Sequence, residues 1–499
     1  MRVHRLCVAG IVTIVVLSGI STVAATEYFL TIGGGYTPSG NQASLEKNVL
    51  FFQHLLAEQH LAGAAHDILF SDGDSPGRDL QFIDPTAGVP RAVLLVARVF
   101  GKEDDLDTQF RSHAVPGIRG ASSRQNLDRW FDDVAPQLHA GDRLVIYLTG
   151  HGGKGSHADN PHFFMWNHEQ VPVKDFVARL DKIDPEVRVV LVMVQCYSGG
   201  FANCIFNEGD PKKGVSRANR CGFYATVQTR PAAGCTPEID EENYQEYSSS
   251  FWAAIGGRTR LGEPIAARDC NVDGQISFAE AHAHALLTLN TIDIPVKTSD
   301  AFLRAFSKST GEAAEHLISP DAPFETLESL ASPLERDVLN GLSQTLNLAG
   351  DDRSKLARDL AERLEKERGE INREKKKLQG EYQRARNAMG EMLKFRWPEF
   401  ANPWNPQVAE QLRRDGPEIV AAIEGHTRYS EFSRLHDEIS EHSARALDAE
   451  CRWVKCQRFL RVTENVVLAA NLDKVATPEI RDRYRALLDS EADTLCGRP

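Results

Sequence analysis

A chain of 499 residues is long enough for two or more domains, and 42% hydrophobic residues suffice to bury real cores. A net charge of −13 and the lack of any basic cluster exclude a nucleic-acid-binding protein. Beyond the first 25 residues no apolar run is long enough for a helix to span a bilayer.

Met1 to Ala25 reads as a secretory signal. Arg2 and Arg5 form the charged start, Leu6 to Ile20 the apolar region, and Val23-Ala24-Ala25 the small-residue cleavage site. A secreted or periplasmic location is expected, with no stable membrane span after cleavage. Loss of the two arginines takes the charge from −13 to −15.

Tyr28 to Ile32 reads as the first strand, ending in Gly33-Gly34-Gly35. The spacing is not G-x-G-x-x-G, so no dinucleotide site is expected there. Leu45 to Ala57 reads as a helix with Ser44 as its cap, and Asp67 to Phe70 as the second strand. Asp84 to Gly120 shows little periodicity after Phe100 and reads as a long functional or mobile loop. A helix from Ser122 or Ser123 to Leu138 follows, with Leu127, Trp130, Phe131 and Val134 on one side.

Two copies of one design come next. Leu144 to Leu148 is an apolar run ending in Thr149-Gly150-His151-Gly152-Gly153. Val189 to Val194 is another, ending in Gln195-Cys196-Tyr197-Ser198-Gly199-Gly200. Such runs read as buried strands of a parallel sheet, joined here through a helix over Val173 to Ile183. Open α/β sheets bind ligands outside the carboxyl ends of their strands, so His151 and Cys196 are expected side by side at one rim. An imidazole that takes a thiol proton makes the sulfur a strong nucleophile. Flanking glycines let backbone N–H groups approach a substrate oxyanion. Alone, either residue is more often an ordinary core Cys or loop His.

His-Gly-Gly after one strand and Gln-Cys-x-Ser-Gly after the next resembles the legumain and caspase class of cysteine peptidases. Gly222 to Thr226 resembles the strand after the nucleophile in legumain. Tyr247 to Trp252 resembles its Tyr-Ser-x-x-Trp segment, with one extra residue. The resemblance spans roughly Tyr28 to Arg304. It implies a caspase-like three-layer α/β sandwich with a mainly parallel sheet. It also implies an endopeptidase acting on protein or peptide substrates, with Cys196 as nucleophile and His151 as base. The N–H groups of Gly152 and Cys196 would hold the oxyanion, and catalysis would need no cofactor. The chain departs from legumain where that family has an arginine, here Gly40 to Ser44, and where it has an acidic residue, here Gln195.

Asp269 to Glu280 fits the EF-hand loop pattern D-x-[DN]-x-[DN]-G-x5-E. Asp269, Asn271, Asp273, Ser277 and Glu280 are the expected side-chain ligands of a structural Ca²⁺, with Gln275 offering its carbonyl and Gly274 the turn. Ala279 to Leu289 reads as the exiting helix. The entering segment contains Pro264 and is too short for a full helix–loop–helix.

Nine cysteines include Cys7 and Cys196. Of the other seven, Cys235 is expected to pair with Cys221 or Cys270, and Cys496 with Cys451 or Cys456. From about Ser332 the composition turns helical. Leu356, Leu360, Leu364, Ile371, Leu378, Tyr382, Met389 and Met392 form a narrow stripe. Helices are expected over Val408 to Arg414, Pro417 to Leu447, Glu450 to Leu472 and Pro478 to Leu488. The stripe suits packing within the chain, or a coiled coil to a partner or second copy. The expected organisation is a signal (1–25), a peptidase domain (26–319) and a helical region (320–499). The rival reading is a catalytically silent caspase-fold scaffold that binds partners in a Ca²⁺-dependent way.

Overall fold

A computed structural model describes residues 26–308, 316–402 and 405–497. The segment Met1 to Ala25, expected to be a secretory signal, lies outside the described residues. Among them no helix is long and apolar enough to cross a membrane.

The chain opens with strand β1 (Glu27–Gly33), helix α1 (Ala43–Glu58) and β2 (Ala65–Phe70). A short hairpin pairs β3 (Leu80–Phe82) with β4 (Gln109–Arg111), and helix α2 (Arg91–Phe100) lies between them. Then come α3 (Arg124–Asp133), β5 (Arg143–Thr149) and a small antiparallel sheet of β6 (Gly152–Gly153), β7 (His162–Met165) and β8 (Glu169–Pro172). Helix α4 (Val173–Leu180) leads to β9 (Arg188–Met193) and β10 (Arg220–Tyr224). Helices α5 (Tyr247–Gly256) and α6 (Phe278–Thr288), the short β11 (Val296–Lys297) and α7 (Thr298–Phe306) complete this part.

The main sheet has the order β11-β10-β9-β5-β1-β2, and every pair is parallel except β10 with β11. The chain steps outward from β1 to β2, then back past β1 to β5, β9 and β10. Right-handed crossovers in opposite directions put α1 on one face and α3 and α4 on the other. Phe52 of α1 and Trp252 of α5 meet the ring of Tyr147 from β5 on the first face. Phe131 of α3 packs on Phe176 of α4 on the second. Both faces are covered, so β5 is buried along its whole length. The strand order reverses at β1 and β5, and their carboxyl ends form the crevice where such sheets bind ligands.

The helical region holds α8 (Phe324–Leu330), α9 (Pro333–Leu346), α10 (Arg353–Arg396), α11 (Gln407–Glu424), α12 (Tyr429–Val475) and α13 (Pro478–Glu491). At 1.5 Å per residue, α10 and α12 each run roughly 65–70 Å, and they pack side by side. Of the expected stripe on α10, Leu364, Ile371 and Met389 are buried, with Ala357, Ala361, Ala385 and Leu393 beside them. Leu356 stays exposed.

Several boundaries differ from expectation. Ser44 does not cap α1 but lies inside it, exchanging hydrogen bonds with the backbone of Thr236. The expected long loop contains α2 and β4, because α2 has an apolar face to bury against α10 and α11. Pro417 sits within α11 rather than at a break, and α12 runs unbroken through the expected interruption at 447–450. Its burial against α10 offsets the weak local signal there. None of the expected disulfides forms: all eight described cysteines are free. Cys221 is buried against the carbonyl of Ser490, while Cys235 lies against that of Gly150.

Candidate active site

The loop after β1 builds one wall of the crevice. Its backbone folds so tightly that a Cβ on Gly35 would fall 2.0 Å from the Gly40 carbonyl oxygen, which requires glycine there. Asn41 is fully buried and pins the loop. Its Oδ1 accepts from the Gly35 N–H at 2.9 Å, and its Nδ2 donates to Ser71 Oγ at 2.9 Å and to the Asp79 carbonyl at 3.0 Å.

His151 leaves the end of β5 against this wall. Its Nε2 lies 2.7 Å from the Gly40 carbonyl and 3.0 Å from Gln42 Oε1. Tyr36 meets the ring edge-on at 5.1 Å. A carbonyl only accepts, so Nε2 carries the proton and the neutral ring keeps its lone pair on Nδ1. Burial pulls the imidazole pKa below its usual 6.5, opposed by the Gly40 hydrogen bond. His151 is therefore uncharged at neutral pH.

Cys196 leaves the end of β9, the strand paired with β5 in register Leu148↔Met193. The Ala232 N–H donates to its Sγ at 3.3 Å. Burial raises the thiol pKa above 9.0, the Ala232 N–H lowers it, and buried Asp293 raises it again. The resting group is a thiol rather than a thiolate. Asp293 accepts from the Ala233 N–H at 2.7 Å and from Thr291 Oγ1 at 2.9 Å.

Gly152 joins the two strand ends. A Cβ there would lie 2.2 Å from the Cys196 carbonyl oxygen, so only glycine permits this approach. Phe164 donates its N–H to the His151 carbonyl, and Gly152 pairs with Phe163 one step further along. The alternation of an antiparallel ladder then turns the Gly152 N–H away from β7.

Beneath the rim lies a buried polar network absent from the sequence reading. Glu246 pairs with Arg260 at 3.5 Å, both nearly inaccessible. Arg260 donates to Asn48 Oδ1 and Ser249 Oγ, each at 2.7 Å, and Asn48 donates to Thr149 Oγ1 at 3.1 Å. Burial raises the Glu246 carboxyl and Arg260 counters it. Gln195, directly before Cys196, is buried with neither amide atom hydrogen-bonded among the described residues. Cys235 is a second thiol close enough for Cys196 to influence its pKa, which burial drives upward.

His151 and Cys196 thus follow the carboxyl ends of paired strands, and Gly152 lies against the Cys196 carbonyl. Gly40, Gln42, Ala232 and Asp293 join them without a motif of their own. The Gly33-Gly34-Gly35 run was the available sign that the first loop comes close, and Glu246 sits just before the Tyr247-Ser248 pair.

The Asp269–Glu280 loop lies apart from this crevice, before α6. Asp269 accepts from the N–H groups of Asp273 and Gly274, Asn271 Oδ1 from Asp273, and Asp273 from Gln275. Glu280 turns inward and forms a capping box with Ser277, also accepting from the Cys270 N–H at 2.8 Å. The three carboxylates therefore do not gather within 4.8 Å of one another. Among the described residues the group that does is Asp72, Asp79 and His113, which sequence spacing does not reveal. Burial and the neighbouring Asp79 raise the Asp72 carboxyl.

No protein-family model matches the chain, and no curated protein matches it. Among solved structures it is similar to protein GSU0716 of Geobacter sulfurreducens, a structural-genomics target. The match covers 55% of this chain and 92% of that one, at 11% identity and a TM-score of 0.32. A likeness at that level carries no argument about function.

Proposed function

We propose that the chain is a secreted cysteine endopeptidase of the legumain and caspase type. The observation that carries this reading is the His151 environment: a carbonyl holds Nε2–H and leaves Nδ1 as a proton acceptor beside the strand that ends in Cys196. In the reaction, Cys196 Sγ attacks the scissile carbonyl carbon and its proton passes to His151 Nδ1. The carbonyl π-electrons move to oxygen, where the N–H groups of Gly152 and Cys196 donate to the oxyanion. Collapse breaks the C–N bond, the leaving amine takes the proton from His151, and a thioester remains. Water, deprotonated by the same imidazole, then releases the acid and regenerates the thiol. Because burial favours the uncharged forms of both groups, proton transfer accompanies attack instead of preceding it.

On this reading Met1 to Ala25 directs export and the α10–α12 pair serves as a packing or partner surface, while Ca²⁺ at Asp269–Glu280 would require Glu280 to leave its contacts with Ser277 and Cys270. A silent scaffold is the rival, favoured by the contact of the Cys196 thiol with the Ala232 N–H. A thiol-directed peptide probe separates the two. The wild-type protein should be labelled at Cys196 and should cleave a proteome-derived peptide library, while Cys196→Ala does neither. No labelling of the wild type, or undiminished cleavage by Cys196→Ala, would overturn the reading.

A further inference from the structure

At the amino ends of β9 and β10, on the rim opposite Cys196, a cavity of about 320 Å³ opens between the sheet and α13. Such a volume lies within the range of small-molecule sites. Four arginines line it: Arg188 at the start of β9, Arg220 at the start of β10, Arg217 between them, and Arg483 on α13. The acidic residues Glu186 and Asp489 also line it, both exposed.

The balance of partners is uneven. Arg188 is paired with buried Asp493, and Arg220 with Asp181 at 2.8 Å. Arg483 donates to the Ser216 carbonyl. Among the described residues Arg217 has no polar partner. The Arg220 side chain is 1% exposed, yet its Nε is an unmatched buried donor, and so is Nε of Arg188. A protein of net charge −13 has thus gathered four guanidinium groups at one cavity. Guanidinium forks match the oxygens of phosphate in pairs, which ammonium groups do not.

We propose that this cavity binds a small polyphosphate-bearing molecule, which ties α13 to the sheet. Two adjacent phosphates offer enough oxygens for arginines contributed by three separate segments. The site lies away from the crevice and does not depend on the peptidase reading.

The test uses the full chain without its signal. Tripolyphosphate is expected to give a saturable calorimetric signal and a higher melting temperature, against sodium chloride matched in ionic strength. Orthophosphate is expected to bind at least tenfold more weakly. ATP and tripolyphosphate distinguish a nucleotide from an inorganic chain, and tighter binding of either supports the site. Arg217→Gln breaks no hydrogen bond or ion pair, so it should leave the unliganded melting temperature unchanged and weaken binding at least fivefold. Arg217→Gln with Arg483→Gln should abolish it. The exposed Arg485→Gln, outside the cavity, should have no effect. Unchanged affinity in the double variant, or no saturation beyond the salt control, would overturn the proposal.

Discussion

Burial holds both His151 and Cys196 in their uncharged forms, and this sets the expected pH profile. A base must be neutral to accept a proton, so kcat/KM should rise with pH along an acid limb whose midpoint lies below 6.5. The raised thiol pKa should delay any alkaline change to above pH 9.0. Gln42→Ala keeps the Gly40 contact and should lower kcat moderately. On the proposed mechanism His151 and Cys196 act as a unit, so loss of both should be no worse than loss of one. An acid limb centred above 6.5 would contradict the environment described for His151. Two other histidines are shifted further and add a pH dependence to stability. Burial lowers His66 to about 4 and His282 to about 3, and the Tyr247 hydroxyl is hydrogen-bonded to His282 Nδ1 at 2.7 Å. The unfolded state protonates first as pH falls below 6.5, so stability is full above that pH and drains away toward 4. The slope is about 1.4 kcal/mol per pH unit for each group. The raised carboxyls of Glu246 and Asp293 act in the opposite direction. Comparing wild type with His66→Asn by denaturant titration at pH 6.5 and 4.5 isolates the histidine contribution, and the variant should show the shallower dependence.

At the scale of elements, the Asp269–Glu280 loop and α6 share one residue with two roles. Glu280 is the twelfth position of the expected Ca²⁺ loop and also the third residue of a capping box. Glu280→Ala would remove both roles together, which makes it a poor test of the ion. Glu280→Gln keeps an acceptor for the Ser277 N–H but loses a carboxylate. Millimolar Ca²⁺ is expected to raise the melting temperature of the wild type over that in chelator, and to leave Glu280→Gln unmoved. Saturation a hundredfold above Kd corresponds to about 2.7 kcal/mol. Ser277→Ala should cost about 1 kcal/mol in chelator, where only the cap is lost, and any larger loss in Ca²⁺ would read its second role as an expected ligand. Equal melting temperatures of the wild type in Ca²⁺ and chelator would reduce the loop to a polar turn.

Across the whole molecule, the helical region is part of the sheet's core. Val454, Leu468, Leu472, Leu487 and Leu495 join the same buried cluster as β5 and β9. Arg143 at the start of β5 donates to the carbonyls of Thr494 and Leu495 and pairs with Asp493. Arg458 of α12 is fully buried and donates to the carbonyls of Leu286, Leu289, Thr291 and Asp293, beside the crevice. A chain ending at Ser319 should therefore lose cooperative melting and aggregate. Arg458→Met removes four donations from buried carbonyls and should destabilise the full chain by about 3 kcal/mol or more. Cooperative melting of the shortened chain, read by near-UV circular dichroism, would show that the helices are dispensable.

Local pattern by itself determined the strands that carry His151 and Cys196, the parallel character of the sheet and the helical character of the region after Ser332. These depend on apolar period and on glycine, which act over a few residues. It also placed His151 and Cys196 at one rim, since adjacent parallel strands bring their carboxyl ends together. Only the tertiary structure decided what surrounds the dyad. Gly40 lies 111 residues from His151, and Ala232 lies 36 residues from Cys196. Their roles come from backbone atoms, which carry no residue-type signature. The same holds for α2 and the uninterrupted α12, whose weak local signals were overridden by burial against other helices. The free cysteines follow from position too: Cys221 and Cys235 stand against different carbonyls, and no spacing in the chain reports that.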